Sequence, residues 1–236
     1  MKKTVVISGA AGNLGQAVTL QFLQNDYQVV ALTQPGHPQQ VETLRQVAPN
    51  QPNLDIQELD VSKEADTQQF VDALPAKYPK VEAAVLIVGG FAMGGVAETD
   101  EALIDKMILL NFKSAYLLAR PFFLQMKQNG GGRIVLVGAR TAVEANSGKG
   151  VLAYSIAKTM VVKLADLLNV EGKAHNVITS VIVPNIIDTP QNRADMPKAN
   201  FDSWVKPEEI AEVIAFACLP ASAKIDEPVY KIYAHQ

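Results

Sequence analysis

The first strand-like run, Thr4-Val5-Val6-Ile7, carries no polar alternation, and that narrows what the chain can become. A strand on a half-solvated sheet alternates apolar and polar residues, whereas a continuous β-branched run is buried on both faces. Both faces of a sheet are covered when helices cross over it, and such crossovers leave the strands parallel. The same signature returns at Val29-Val30-Ala31-Leu32, Val85-Leu86-Ile87-Val88, Arg133-Ile134-Val135-Leu136-Val137 and Val177 to Val183. Leu54 to Leu59 and Val229 to Tyr233 are further strand-like stretches. Helical patterns separate them. Leu14, Val18 and Phe22 recur at helical spacing until Asn25-Asp26, and Val41 to Val47 forms a shorter helix. A long pattern runs from Glu101 to Met126 with a kink expected at Pro121, and another from Val151 to Val170. Pro207-Glu208-Glu209 opens a last helix, with proline and acids in its first turn. The order predicts an α/β fold: one doubly wound parallel sheet with helices on both faces.

At 236 residues the chain allows one large domain or two small ones, and no composition break or internal repeat divides it. A single domain over residues 1–236 is therefore expected. With 48% apolar and 19% charged residues it is not a disordered chain. A net charge of −3 offers no footprint for nucleic acid or an anionic membrane. Cys218 is alone and His37, His175 and His235 are far apart in sequence, so no metal site is expected. Ser8-Gly9 cut the first apolar run short of a signal peptide, and four glycines interrupt Ala83 to Ala97. A cytoplasmic protein acting on a small molecule is expected, with no nucleic-acid or membrane partner.

In doubly wound sheets, ligands bind outside the carboxyl ends of the strands. The first such loop reads Ser8-Gly9-Ala10-Ala11-Gly12-Asn13-Leu14-Gly15, with glycines spaced G-x-x-G-x-x-G. A bare backbone lets a pyrophosphate approach, and the helix amino terminus aims its amides at it. Gly9, Gly12, Asn13, Leu14 and Gly15 thus point to a Rossmann-type dinucleotide site. The second strand ends Leu32-Thr33-Gln34-Pro35, with neither the acid that reads an NAD ribose nor an arginine for a 2′-phosphate, so NAD and NADP both stay open. Asp60-Val61 follows the third strand, where the carboxylate either accepts adenine amino hydrogens or turns the chain. Gly89-Gly90 after the fourth strand would let backbone pass close to the cofactor.

Tyr154-Ser155-Ile156-Ala157-Lys158 places a phenol and an ammonium at i, i+4 on one helix face. An ammonium close by favours the phenolate and lowers a pKa that starts near 10. Such a tyrosine can protonate a carbonyl oxygen while a nicotinamide supplies hydride.

With these motifs the chain resembles the short-chain dehydrogenase/reductase family over nearly its full length. The glycine loop, Asp60-Val61, Asn111, Tyr154-x-x-x-Lys158 and Pro184-Asn185 carry the resemblance. It implies that Lys158 also holds the nicotinamide ribose and that Asn111 orders a proton-relay water. It further assigns Ile187 and Thr189 to the cofactor, and implies homodimers or homotetramers paired through the helices of Asn111 and Tyr154. Two departures stand out. Asn13 occupies the middle glycine position of the family's commonest pattern, with Gly12 instead. The family's substrate-orienting serine falls at Ala139 counted from the fifth strand and at Thr141 counted back from Tyr154. The strand is the firmer anchor, since loops absorb insertions. The hydroxyl is then absent, with Thr141 as its candidate substitute. Val88-Gly89-Gly90-Phe91 and the segment Asp188 to Trp204 are similar to the dihydropteridine-reductase-like branch. That second segment, residues 188–204, reads as a substrate lid. The competing expectation is a dinucleotide-sensing regulatory protein with little or no turnover.

Overall fold

The computed structural model describes residues 2–225 and 227–234. The chain runs β1 (Thr4–Ser8), α1 (Asn13–Gln24), β2 (Gln28–Thr33), α2 (Pro38–Val47), β3 (Leu54–Glu58) and α3 (Glu64–Ala73). It continues through β4 (Ala83–Leu86), α4 (Glu101–Met107), a π-helical turn (Ile108–Lys113), α5 (Ser114–Gln128), β5 (Gly132–Val137) and α6 (Arg140–Val143). Then come α7 (Leu152–Gly172), β6 (Val177–Pro184), α8 (Pro190–Asp195), α9 (Pro207–Ala217) and β7 (Val229–Ile232). The seven strands form one sheet in the order β3-β2-β1-β4-β5-β6-β7, and all six pairings are parallel.

The apolar runs are buried on both sides, as their patterning requires. Val5, Ile7, Val29, Val135 and Ile182 pack with Phe22 of α1 and Ile210 and Ile214 of α9. The alternate residues Val6, Val30, Ala84, Ile134 and Val181 pack with Leu118, Phe122 and Met126 of α5 and Val161 and Leu164 of α7. Both β1 and β6 are therefore covered on two faces, and chemistry is left to the loops at the carboxyl edge. The strand order reverses between β1 and β4, which opens a crevice at their carboxyl ends.

Below the start of β7, the outer edge of β6 has no strand partner among the described residues. The buried Asn169 carboxamide of α7 replaces one, accepting from Thr179 N–H and donating to Thr179 O, each at 2.8 Å.

Three local features differ from the sequence expectation. Helix α3 carries no strong apolar stripe, since only Thr67 and Val71 are buried along it. The irregularity of the long helical segment lies at Ile108–Lys113, while α5 continues through Pro121. The run Glu101–Gln128 is long and apolar enough to cross a membrane by length and composition, but Leu118, Phe122 and Met126 face the sheet.

Candidate active site

The crevice begins at the glycine loop. Gly9 adopts a left-handed φ of +67°, and a Cβ there would stand 3.2 Å from Val88 N. At Gly15 a Cβ would lie 2.1 Å from Gly9 O and 2.7 Å from Ala10 Cα, so only glycine lets α1 start this close to β1. Gly12 differs: the nearest atom to a Cβ would be Gly9 O at 3.4 Å, an ordinary contact. Nothing inside the fold demands a bare backbone at Gly12, which lines the open cleft. No side chain caps α1. Its first amides, at Asn13, Leu14 and Gly15, border the same space. These are the features an approaching pyrophosphate needs.

The cleft encloses about 550 Å³. Its walls are the glycine loop, Thr33 at the end of β2 and Gln34 after it, Asp60 and Val61 after β3, Ile87 to Gly89 after β4, and Leu110 and Ser114. Asp60 Oδ1 accepts from the Ser62 amide at 3.0 Å and the Ser62 hydroxyl at 2.6 Å. Lys63 Nζ stands 3.3 Å from Asp60 Oδ2. Those Ser62 bonds, helped by Lys63, hold the Asp60 carboxyl below the usual carboxylate range. Asp60 is thus a turn-former and a cleft wall at once.

At the other end of the cleft, Gly89 marks where several elements converge. A Cβ on Gly89 would lie 2.7 Å from Asn111 Oδ1 and 3.2 Å from Lys158 Nζ. Asn111 is buried, its Oδ1 accepting from Gly90 N–H at 3.2 Å and its Nδ2 donating to Gly90 O at 3.0 Å. The π turn displaces the helical ladder here, and side chains take up carbonyls along it. Asn111 Nδ2 donates to Met107 O at 3.1 Å, and Ser114 Oγ donates to Leu110 O at 2.6 Å. From α7, Lys158 Nζ donates to Val137 O at 2.8 Å and lies 5.9 Å from the centre of the Tyr154 ring. Phe91 meets Tyr154 edge-to-face with centroids 5.1 Å apart, although Phe91 is itself 63% exposed. Its loop is fixed to the start of α7, since Gly94 N–H donates to Gly150 O and Leu152 N–H to Gly94 O.

The charges in this corner differ from the sequence expectation. Burial pushes the Tyr154 phenol up to about 12 and the Lys158 ammonium down to about 8. In the protein alone, desolvation of both groups outweighs the attraction between them, and the ammonium is turned to Val137 O.

The remaining expected residues fall elsewhere. Ala139, two residues past β5, is buried and has no hydroxyl. Thr141 Oγ1 is buried without a partner among the described residues. Helix α6 meets α7 on the Ser155–Thr159 side, with Thr159 Oγ1 to Ala142 O at 3.4 Å. Ile187 bridges to Val205. Its carbonyl accepts from Asn192 Nδ2 at 2.8 Å, and Thr189 Oγ1 caps α8 by accepting from Asn192 N–H at 3.1 Å. Neither residue lines the cleft. The segment after them is stitched down: Arg193 forks onto Asp188 at 2.6 and 2.7 Å and lies over the Phe201 ring, which packs on the buried Trp204. Gln40 and Leu110 join the cleft wall without a sequence signal. The first comes from α2 and the second from the π turn.

The Lys158 shift has a consequence for stability. Its folded pKa of about 8 lies below the ordinary 10.5, so from pH 8 to 10.5 the unfolded chain holds a proton the folded one has lost. Unfolding free energy then rises with pH across that window. Relative to Lys158→Met, the wild type is expected to gain about 1–3 kcal/mol between pH 7 and about pH 10 in urea melts. A gap that stays constant with pH would contradict the burial of a charged ammonium.

Comparison with known proteins agrees with this geometry. Residues 3–200 match the short chain dehydrogenase family. A dihydropteridine reductase of Dictyostelium discoideum is 29% identical over 216 residues, covering 90% of this chain and 86% of that protein. An NAD-dependent glycerol dehydrogenase of Listeria innocua is 27% identical over 187 residues, covering 79% of this chain and 71% of its own. The solved structure of ElxO with NADP bound superposes with a TM-score of 0.90 at 22% identity, over 98% of this chain and 97% of ElxO, and so shares the fold. With the glycine loop, the Tyr154–Lys158 pair and Asn111 joined at one sheet edge, the chain belongs to the short chain dehydrogenase family of NAD(P)-dependent oxidoreductases.

Proposed function

We propose that Tyr154 exchanges a proton with the acceptor atom of a small carbonyl or quinonoid, imine-like substrate. The observation that carries this reading is that Lys158 and Asn111 meet beside Gly89, a wall residue of the cleft, with the Tyr154 ring 5.9 Å from Lys158 Nζ. Bound NAD(P) supplies or takes the hydride. The amides of Asn13, Leu14 and Gly15 would hold its pyrophosphate over the bare backbone of Gly9 and Gly12, Asp60 and Val61 its adenine, and Gly89 and Gly90 would let it pass. Ile187 and Thr189 would border its nicotinamide end from the β6 side.

In reduction Tyr154 is the acid. A phenol held up near 12 keeps its proton at neutral pH and gives it up only as negative charge develops on the substrate. Lys158 has three donors, one engaged by Val137 O, which leaves two for ribose hydroxyls. Asn111 fixes the Gly90 backbone and stands beside Lys158, where a water can return the proton to Tyr154. With alanine at position 139, Tyr154 alone contacts the acceptor atom. That suits a substrate already polarised, such as a quinonoid ring, for which Phe91 offers an exposed aromatic face. The stitched segment 188–204 would cover the substrate.

The enzyme would work in the cytoplasm as a homodimer or homotetramer. Leu167 and Val170 of α7 are 55% and 81% exposed, and Tyr116 and Leu124 of α5 are also open, an apolar surface that pairing would cover. Light scattering is expected to give a dimer or tetramer, and Val170→Glu to weaken it; a wild-type monomer at micromolar concentration would contradict the pairing.

The catalytic reading is tested by following NADH and NADPH absorbance over ketones, quinones and a quinonoid dihydropterin. Tyr154→Phe should lower turnover about 10²–10⁴-fold while leaving cofactor affinity unchanged. Wild-type rates in that variant would remove Tyr154 from the chemistry. Tight cofactor binding with no substrate turned over would favour a sensor instead.

A further inference from the structure

We propose that Gln34 and Gln40 form the corner that reads the adenosine ribose, and that this corner selects NAD over NADP. The proposal rests on the oxidoreductase reading above and adds the identity of its cofactor. It starts from the charge of the cleft. Among the described residues that line it, Asp60 is the one charged side chain. The ammonium beside it, Lys63, is held by that same carboxylate at 3.3 Å. A 2′-phosphate brings a dianion that needs cationic donors, and here it would meet amides and a carboxylate.

The backbone after β2 explains how two amides come together. Gln34 N–H donates to Gln40 Oε1 at 2.9 Å. His37 N–H donates to Gln34 O at 3.3 Å, and Gln40 N–H to His37 O at 2.9 Å. The segment folds back on itself, so the first turn of α2 delivers Gln40 to the wall that Gln34 already forms. With Oε1 engaged, Gln40 presents its Nε2 donors, and no described residue takes them up. The Gln34 carboxamide, on an exposed residue, also has no partner among the described residues. A ribose 2′-hydroxyl both donates and accepts, and a carboxamide does the same, so the free amide groups match a diol. A carboxylate in this position would only accept, and a guanidinium would only donate.

The NADP held by the ElxO structure does not bear on this corner, because a likeness at 22% identity is one of fold.

Binding decides it without turnover. The full chain is titrated with NADH and NADPH by nicotinamide fluorescence, and with AMP and adenosine 2′,5′-bisphosphate by calorimetry. The expected result is a Kd for NADH at least tenfold below that for NADPH, with AMP preferred over the bisphosphate. Gln34→Arg, a change on an exposed side chain, is expected to tighten NADPH at least tenfold in a salt-dependent way and to weaken NADH, because the carboxamide that matches the diol is lost. Equal or tighter binding of NADPH by the wild type would overturn the proposal, as would a ratio unmoved in Gln34→Arg. Failure of both dinucleotides to bind would overturn the oxidoreductase reading itself, and this inference with it.

Discussion

Lys158 is an ammonium buried under the carboxyl edge of the sheet, and its described hydrogen-bond partner is a backbone carbonyl, Val137 O. Burying a charge against a neutral acceptor is costly, and the fold accepts that cost only where the charge has something to do. The bond ties α7 to the end of β5. It thereby sets where Tyr154, one turn earlier, stands relative to Lys158 and Gly89. Gly89 has to lack a side chain because Lys158 and Asn111 occupy the space a Cβ would need. The π turn exists in the same neighbourhood and holds Asn111 against the Gly90 backbone.

What could be read from the residues follows from how local each signal is. Strands β1 and β6 were legible because both-face burial writes a continuous β-branched run into a few residues. The glycine loop was legible because Gly9 and Gly15 answer steric demands within one turn. Helix α3 was not, since its buried side is Thr67 and Val71 among polar residues, and neighbouring α5 supplies the packing. The π turn was not, because Ile108–Lys113 reads as ordinary helix and the widened turn depends on Asn111 finding Gly90 across the fold. Pro121 drew attention to the wrong place for the same reason.

The site divides likewise. The Tyr154–Lys158 spacing is written in one helix, but the charge state of the pair is not. Proximity alone argued for a lowered phenol, and burial, a property of the whole fold, reversed the sign. Thr141 is a candidate hydroxyl by counting, and in the fold its Oγ1 is buried without a partner among the described residues. Gln40 was invisible in sequence because its place beside Gln34 depends on a turn closed by backbone bonds. On the proposed reading, steric features would hold the dinucleotide's phosphates, while side-chain amides and one tyrosine would act at its two ends.

On the proposed reading Tyr154 is kept protonated by burial, gives its proton to charge developing on the substrate in reduction, and is made more acidic when positive charge arrives beside it. Oxidised nicotinamide carries that charge, so ionisation of Tyr154 should be coupled to NAD⁺. The direct measurement is tyrosinate absorbance at 295 nm as a function of pH, wild type minus Tyr154→Phe, with and without saturating NAD⁺. The account predicts a difference titration near 12 in the protein alone and a midpoint lowered by at least two pH units with NAD⁺. The same midpoint in both would contradict it.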